Sequence, residues 1–367
     1  MNSSMVQNKR IIYIDILRIL SIVAVIILHY TAEVLTSTND FNTSSWWISN
    51  GFNSISRFAV PVFFMISGAM ILRTKITSYR EFYTKRVLPL VIPLLTWSLI
   101  YGLYNQYYIM RSQMNAYEFV IDFGYRLLTD RNYIHLWFLY AIIAIYITVP
   151  LISKFIKSCS ERDLRYYLLL WFIVSIAYRF ISDVVFRTTD QYINIPIMNI
   201  PFFMGFLGYF ILGYYLFHYE LPLKVKNKLY NLGIISFFLT PVATYFVSLR
   251  SGVLDEMFYG NYSITTFFMA VGLFIFFKEN ETRISDKVNH KIQKLISSIS
   301  RASFSIYLIH LLVEMMLSGR TELEATFLEA TLSLIVNIGI IFAISYITVK
   351  VLNLSKTATY ILFGGRG

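Results

Sequence analysis

Ten apolar segments divide this chain of 367 residues, and each is near the length of about 20 residues that a membrane-spanning helix needs. They cover approximately residues 11–35, 47–72, 87–110, 135–152, 166–186, 197–217, 231–249, 262–277, 303–319 and 328–349. Hydrophobic residues make up 56% of the chain and charged residues only 14%, against about 25% in soluble domains. The sequence therefore predicts an all-α polytopic membrane protein with about ten transmembrane helices, folded as one domain over residues 1–367.

The distribution of Lys and Arg between the loops predicts on which side of the membrane each loop lies. With the N-terminus inside, the cytoplasmic pieces carry 23 basic residues and the outer pieces six, while the remaining three, Arg18, Arg57 and Arg179, lie inside segments. Both termini are thus predicted to be cytoplasmic. The net charge of +11 is then a signal of topology, and no nucleic-acid partner is expected.

Three groups that are unfavourable in lipid interrupt the first segment, namely Asp15, Arg18 and His29. A helix turns about 100° per residue, so the step from Arg18 to His29 returns to nearly the same face, roughly 16 Å further along the axis. Asp15 precedes Arg18 by one turn and lies within ion-pair reach. An acid, a cation and an imidazole in line are typical of a functional site that faces a polar interior. A plainer explanation stays open, in which Asp15 pairs with Arg18 at the membrane surface and His29 is a structural histidine.

The other ionisable residues inside the segments are few. They are Glu33, Arg57, the pair Arg179 and Asp183, and the pair His310 and Glu314. A spacing of four residues stacks the members of each pair on one helix face. For Arg179 and Asp183, a self-neutralising pair and a functional pair both remain open, whereas the short apolar segment around His310 and Glu314 favours a function. We expect Arg57, His310 and Glu314 to bind substrate.

Signatures of several other catalytic classes are missing from the sequence. There is no His-x-x-x-His or HExxH pattern for zinc and no Gly-x-Ser-x-Gly nucleophile elbow. The single cysteine, Cys159, excludes an internal disulfide and any multi-cysteine metal site. We therefore expect no metal and no permanently bound cofactor. The chemistry then depends on an imidazole that acts as a general base or transiently carries a group, with arginines that hold anions.

Four stretches of the chain are found in the same order in one known protein family. They are YIDILRILSIVAVIILHYT, in which ten residues separate Arg18 from His29, then SRFAVPVFFMISGAMIL, HLWFLYAIIAIYITVPLI and SFSIYLIHLL. With these stretches the chain resembles the acyltransferase-3 family of integral-membrane acyltransferases over nearly its whole length. The resemblance implies transfer of an acyl group, usually acetyl from acetyl-CoA, to an extracytoplasmic acceptor such as a surface polysaccharide or a lipid-linked sugar. It implies a cell-membrane location of the bacterial cytoplasmic type, His29 as the catalytic histidine, and Arg18 as its partner in handling the donor.

The chain departs from the family pattern in two places. Some members have an Arg-x-x-Arg pair after the second helix, where this chain has Arg86 but Pro89. Some members continue into an extracytoplasmic SGNH esterase-like domain, whereas this chain stops at Gly367. We therefore expect the membrane part, or a separate protein, to complete the transfer to the acceptor.

The expected donor path follows the face of Asp15, Arg18 and His29, with all three as catalytic residues and acyl-CoA entering from the cytoplasm. Arg73 and Arg86, in the basic stretch 73–86, are placed to bind the nucleotide phosphates, although the same charges also fit a topology signal. The expected partners are acyl-CoA, a glycan or lipid-linked sugar, and membrane lipids. The alternative function is a transporter or flippase, since buried charges and histidines also form substrate paths in that class.

The charge distribution generates a test of topology. Reporter fusions after Arg86, Lys157, Lys228 and Lys291 should report the cytoplasm, and fusions near Asn42, Asn115 and Asp255 should report the outside. The readout is a pair of reporters that are active on opposite sides of the membrane. Two or more fusions on the opposite side would disprove the ten-helix topology.

Overall fold

The computed structural model describes residues 10–111, 114–129, 133–191, 193, 195, 203, 205–317 and 326–365. Within these ranges every regular element is a helix. The helices are α1 (Ile12–Ser37), α2 (Ser44–Ser56), α3 (Ala59–Ile71), α4 (Tyr79–Ile109), α5 (Ala116–Leu128), α6 (Trp137–Ser158), α7 (Glu161–Thr189), α8 (Leu207–His218), α9 (Leu223–Ser251), α10 (Ile264–Glu279), α11 (Glu281–Lys287), α12 (His290–Leu317), α13 (Phe327–Leu352) and α14 (Lys356–Phe363). The predicted all-α class is confirmed.

Long apolar helices confirm a multi-pass membrane protein. In the described residues, eight spans are long and apolar enough to cross a membrane, with α2 and α3 counted as one. The sixth and eighth predicted segments correspond to α8 and α10, which have only 12 and 16 residues. Residues 197–202 of the sixth segment lie outside the described ranges. The count of ten and the side of each terminus therefore stay predictions.

The second predicted segment is not one continuous helix, because it is interrupted at Arg57 and Phe58 between α2 and α3. The cause is readable in the sequence. Pro61 has no N–H to donate to the carbonyl of Arg57, four residues earlier, and its ring crowds that carbonyl. The interruption lets the Arg57 side chain leave the helix axis and reach the connection between α9 and α10.

Two stretches between the apolar segments mix apolar and charged residues, which predicts helices on the membrane surface: residues 111–134 on the outer side and residues 278–302 on the inner side. The first stretch contains the helix α5, in which no residue is buried and an ion pair of 2.7 Å joins Arg126 Nε to Asp122, while its side of the membrane stays a prediction. The second stretch does not form one separate helix, because it is divided between α11 and the start of α12. Ile292 and Leu295 lie in the first turns of α12, which has 28 residues and continues into the ninth apolar segment. The ninth segment is therefore longer than the sequence suggested.

Helix α1 lies inside the bundle, where it packs against α2, α3 and α12. Helix α4 begins earlier than predicted and contains a π-helical turn over Tyr83–Val87. Pro89 explains the irregular turn, because a proline deprives the carbonyl four residues earlier of its helical partner. Arg86 lies on this turn and lines the main cavity of the bundle.

Glycines permit a close approach of two helices, α3 and α8. A Cβ atom built on Gly68 would lie 1.7 Å from the carbonyl oxygen of Phe210, and one built on Gly213 would lie 1.9 Å from the carbonyl oxygen of Met65. Small residues that bring backbones together are a common way to join helices in membranes, where no hydrophobic driving force acts between them. These contacts hold α3, which forms one wall of the main cavity.

Gly68→Ala should therefore destabilise the protein. The new methyl group would meet the backbone of Phe210, which cannot rotate away as a side chain can. We expect a loss of about 1–3 kcal/mol, which is typical of overpacking. The measurement is thermal unfolding of detergent-purified protein. Gly51→Ala is the matched control, since no atom lies within 4 Å of its added Cβ. Equal stability of the two variants would contradict the close packing of α3 on α8.

Candidate active site

Asp15 ties the N-terminal part of α1 to α12. Its side chain is only 4% exposed, and it accepts hydrogen bonds from Arg10 Nε and from Ser300 Oγ, the latter at 2.6 Å. Arg18 Nη1 lies 3.6 Å from the same carboxylate, and Arg10 also donates to the carbonyl of Ser297 at 3.0 Å. A buried carboxylate needs such partners because its ionised form is otherwise strongly disfavoured. The structure thus places Asp15 as the group that orients Arg18.

A cavity of about 570 Å³ lies beside Arg18, with walls from α1, α3, α4, α6 and α12. Three guanidinium groups line it, those of Arg18, Arg86 and Arg301. From Ser300 to Tyr307 the cavity follows α12 for about 10 Å. Its remaining walls are mostly apolar or aromatic. The cavity is therefore an elongated, largely apolar channel with cationic groups in its lining.

Three histidines from distant parts of the chain lie close together next to Tyr307. The ring centroid of His310 lies 5.4 Å from that of His29 and 5.6 Å from that of His135, and His29 and His135 are 6.3 Å apart. His135 and His310 are buried, while His29 is half-buried. Tyr307, which lines the cavity, contacts the rings of His135 and His310 at 5.4 and 6.0 Å. Tyr307 thus lies between the cavity and the histidine cluster.

The backbone of α12 fixes the tautomer of His310. Its Nδ1 atom lies 2.7 Å from the carbonyl oxygen of Tyr307, and a carbonyl can only accept, so Nδ1 carries the proton. In the neutral ring Nε2 then has a free lone pair, and no hydrogen-bond partner for it is found among the described residues. His310 is therefore built as a hydrogen-bond acceptor next to His29.

Aromatic side chains position His135, which precedes α6. Its ring meets Tyr101 edge-on at 5.0 Å, and Tyr307 Oη donates to its carbonyl oxygen. Tyr101 Oη in turn donates to the carbonyl of Leu308 at 2.8 Å. In the part of the chain that the structure describes, neither ring nitrogen of His135 makes a hydrogen bond of good geometry, although the ring interacts with the backbone of Leu308. A buried imidazole with so few polar contacts next to two other imidazoles points to a role beyond packing.

Two glutamates lie one turn beyond the histidines. Glu33 follows His29 by four residues, Glu314 follows His310 by four residues, and the two carboxyl groups interact electrostatically. Glu33 is exposed, whereas Glu314 Oε2 is buried without a hydrogen-bond partner in the described ranges. The helices α1 and α12 thus present matched His and Glu residues to the same space.

Arg57 lies near His29 and interacts with it electrostatically. Its Nε donates to Asn53 Oδ1 at 2.8 Å, its Nη1 donates to the carbonyl of Tyr259 at 3.1 Å, and its guanidinium lies 3.9 Å from the Tyr259 ring centroid. Burial raises the pKa of Tyr259 to about 12, so that its phenol stays neutral and donates to Asn50. Asn53 and Tyr259 thus hold the Arg57 side chain in place. Arg57 therefore acts on His29 as a fixed positive charge.

The predicted site residues therefore form two groups. Arg18 and Arg86 line the cavity, and Asp15 supports Arg18. His29, His310 and Glu314 form the second group, with Arg57 beside it. Arg73 belongs to neither, since it does not line the cavity and its guanidinium lies 4.9 Å from the Phe217 ring centroid.

Sequence reasoning missed His135 and Arg301 as site residues. His135 begins the stretch HLWFLYAIIAIYITVPLI, and Arg301 stands two residues before SFSIYLIHLL, so both flank the stretches that carried the family resemblance. Their place at these stretches is the sequence feature that could have identified them as site residues. Within the described residues, no group of three or more His, Cys, Asp or Glu side chains could hold a metal ion.

A comparison with protein families identifies an acyltransferase family. The model of a family described as an acyltransferase domain, Acyl_transf_3, matches residues 11–346. The matched range includes Arg18, the three histidines, Arg57 and Arg301. No curated protein and no solved structure is significantly similar to the chain.

Proposed function

Because the chain belongs to the acyltransferase family whose model it matches, we propose that it moves an acetyl group from acetyl-CoA to a hydroxyl of an extracytoplasmic or lipid-linked glycan. The family match and the long apolar helices make the protein a multi-pass membrane acyltransferase, and the proposal starts from that. The acetyl-CoA donor, the glycan acceptor and a location in a bacterial cytoplasmic membrane belong to the proposal.

The observation that supports this proposal is the cavity lined by three arginines, together with Tyr307, which joins the wall of that cavity to the histidine cluster. Coenzyme A is a polyanion with a long, thin pantetheine arm. The planar forks of Arg18, Arg86 and Arg301 match phosphate oxygens in shape and charge. The apolar walls between them and Tyr307 suit the arm, so that the thioester would point toward the histidines.

His29 is our candidate for the general base. It is half-buried, it is next to the lone pair of His310, and it follows Arg18 by about three turns of α1. During transfer, His29 accepts the proton of the acceptor hydroxyl while the oxygen bonds to the thioester carbon. The bond between carbon and sulfur then breaks, and the sulfur leaves as the free thiol once it takes up a proton. An acyl-histidine relay, in which His29 itself first attacks the thioester, is compatible with the same arrangement.

Lysine in place of Arg18 keeps the charge and loses the planar fork. We expect Arg18→Lys to lower kcat/KM for acetyl-CoA by about 10–100-fold, as for the loss of hydrogen bonds between charged groups. The measurement is release of free thiol by purified protein supplied with a membrane extract as the source of acceptor. Arg73→Lys is the matched control, because Arg73 does not line the cavity. Wild-type kinetics for Arg18→Lys would show that Arg18 does not bind the donor.

The two embedded histidines of α1 and α12 should differ in their effect. His29→Ala should reduce transfer of labelled acetyl by about 10²–10⁴-fold, the usual effect of losing a general base. His310→Ala should leave a measurable activity, because that residue orients His29 rather than taking the proton from the acceptor. The assay compares both variants at equal membrane levels with His290→Ala, an exposed histidine at the start of α12.

Two results would count against these roles. If His29→Ala remains active while His310→Ala does not, the base is His310. If no variant and no preparation consumes acetyl-CoA although the protein is folded and inserted, the transporter or flippase alternative takes its place. Chemical analysis of surface glycans from cells with and without the gene would then identify the acceptor or its absence.

A further inference from the structure

A second cavity, of about 210 Å³, lies between the C-terminal part of α7 and the connection from α9 to α10. It is smaller than the pockets of about 300–1,000 Å³ that hold drug-sized ligands. Its lining combines Arg179, Phe180 and Asp183 from α7 with Asn261 and Tyr262 from the connection. It is thus a small polar pocket with aromatic walls.

One ion pair fixes the wall of this pocket. Arg187 donates through Nε to Asp255 Oδ2 at 2.7 Å and through Nη2 to the other oxygen, and the N–H of Met257 also donates to Asp255 at 2.9 Å. Burial alone would raise the pKa of Asp255, but these hydrogen bonds hold that pKa below its usual value. Asp255 is therefore ionised, and it attaches the connection to α7.

The other charged side chains that line the pocket are Glu256, Asp183 and Arg179. Glu256 lies 4.0 Å from Arg57 Nη2. Asp183 interacts electrostatically with Arg179 and Arg187, but among the described residues no ion pair within 4.0 Å engages Asp183 or Arg179. The Arg179 guanidinium lies 5.5 Å from the ring centroid of Tyr262. The pocket thus offers a carboxylate acceptor and a guanidinium donor beside an aromatic face.

This set of groups suits a neutral sugar ring. Sugar hydroxyls are both donors and acceptors, so they can bind the Asp183 carboxylate and the Arg179 guanidinium together, and the Asn261 amide offers both functions. The apolar face of a sugar can pack on the rings of Tyr262 and Phe180. A phosphate or carboxylate fits less well, because two carboxylates, Asp183 and Glu256, also line the pocket.

The pocket is connected to the histidine cluster through Arg57. Glu256 lines the pocket and contacts Arg57, and Arg57 interacts electrostatically with His29. A ligand in the pocket therefore lies beside Glu256, which contacts the arginine that acts on His29. An acceptor of more than one sugar residue can place its reacting hydroxyl near His29 and another ring in this pocket.

We propose that the pocket of Arg179, Asp183 and Tyr262 binds a neutral sugar ring of the acceptor, next to the residue that is acylated. This inference rests on the proposed function, since it assigns a binding site to the acceptor of that reaction. It also gives the pair Arg179 and Asp183, whose role the sequence left open, a function in recognition.

The test is saturation-transfer NMR on the detergent-purified full chain with the methyl glycosides of common hexoses, 6-deoxyhexoses and N-acetylhexosamines. We expect at least one glycoside to bind the wild type, and its apparent affinity to fall about tenfold or more in Asp183→Asn and in Arg179→Gln. Asp122→Asn and Arg126→Gln are the matched controls, because these residues form a pair with the same spacing on α5, outside the pocket. Both controls should bind like the wild type.

Two outcomes would overturn the inference: no glycoside binds the wild type, or binding is the same in both pocket variants. If Asp183→Asn does not fold, Arg179→Gln alone decides. Consumption of acetyl-CoA that depends on His29 is scored separately in the same preparations. Loss of glycoside binding in the pocket variants, with thioester consumption that is reduced but still depends on His29, would support the pocket, whereas absence of thioester consumption in the wild type would disprove the proposed function itself.

Discussion

The contacts of the buried Asp15 carboxylate are the interaction on which the half of the site around Arg18 depends. An ionised group inside an apolar bundle is tolerated only when partners surround it, and here Arg10, Arg18 and Ser300 do so. These contacts join α1 to α12 at their N-terminal parts. Because both helices then continue in the same direction, His29 of α1 and His310 of α12 meet further along the bundle. The partners that Asp15 needs at one end of α1 thus help to bring His29 and His310 together at the other end.

The histidine cluster has two differently lined spaces as neighbours. Tyr307 joins it to the cavity with three arginines and apolar walls, and Arg57 joins it to the small polar pocket. The proposed transfer from a charged donor to a polyhydroxylated acceptor would use this asymmetry. The interruption of the helix at Pro61 contributes to it, because it frees Arg57 to contact the connection between α9 and α10.

Much of the site follows from positions along single helices, and these were predictable. The distance from Arg18 to His29 follows from the rise of one continuous helix, which the structure shows as Ile12–Ser37. The stacking of Glu314 on the His310 face follows from the same periodicity. His135 and Arg301 were not predictable in this way, because their neighbours come from other helices. For Arg73 the sequence predicted a place at the donor phosphates because it lies in a basic stretch, but its side chain contacts Phe217 and does not line the cavity.

The sequence by itself determined the all-helical membrane class, the extent of α1 and the residues that had to avoid lipid, since hydrophobicity and helical periodicity are local properties. Only the tertiary structure decided which of those residues meet. Gly68 against Phe210 and Asp15 against Ser300 are contacts between segments far apart in the chain, and they set helix positions to within a few ångströms. The three histidines become one cluster only through that packing. Local patterns carry no information on the packing of distant helices, so the tertiary structure alone could reveal the cluster.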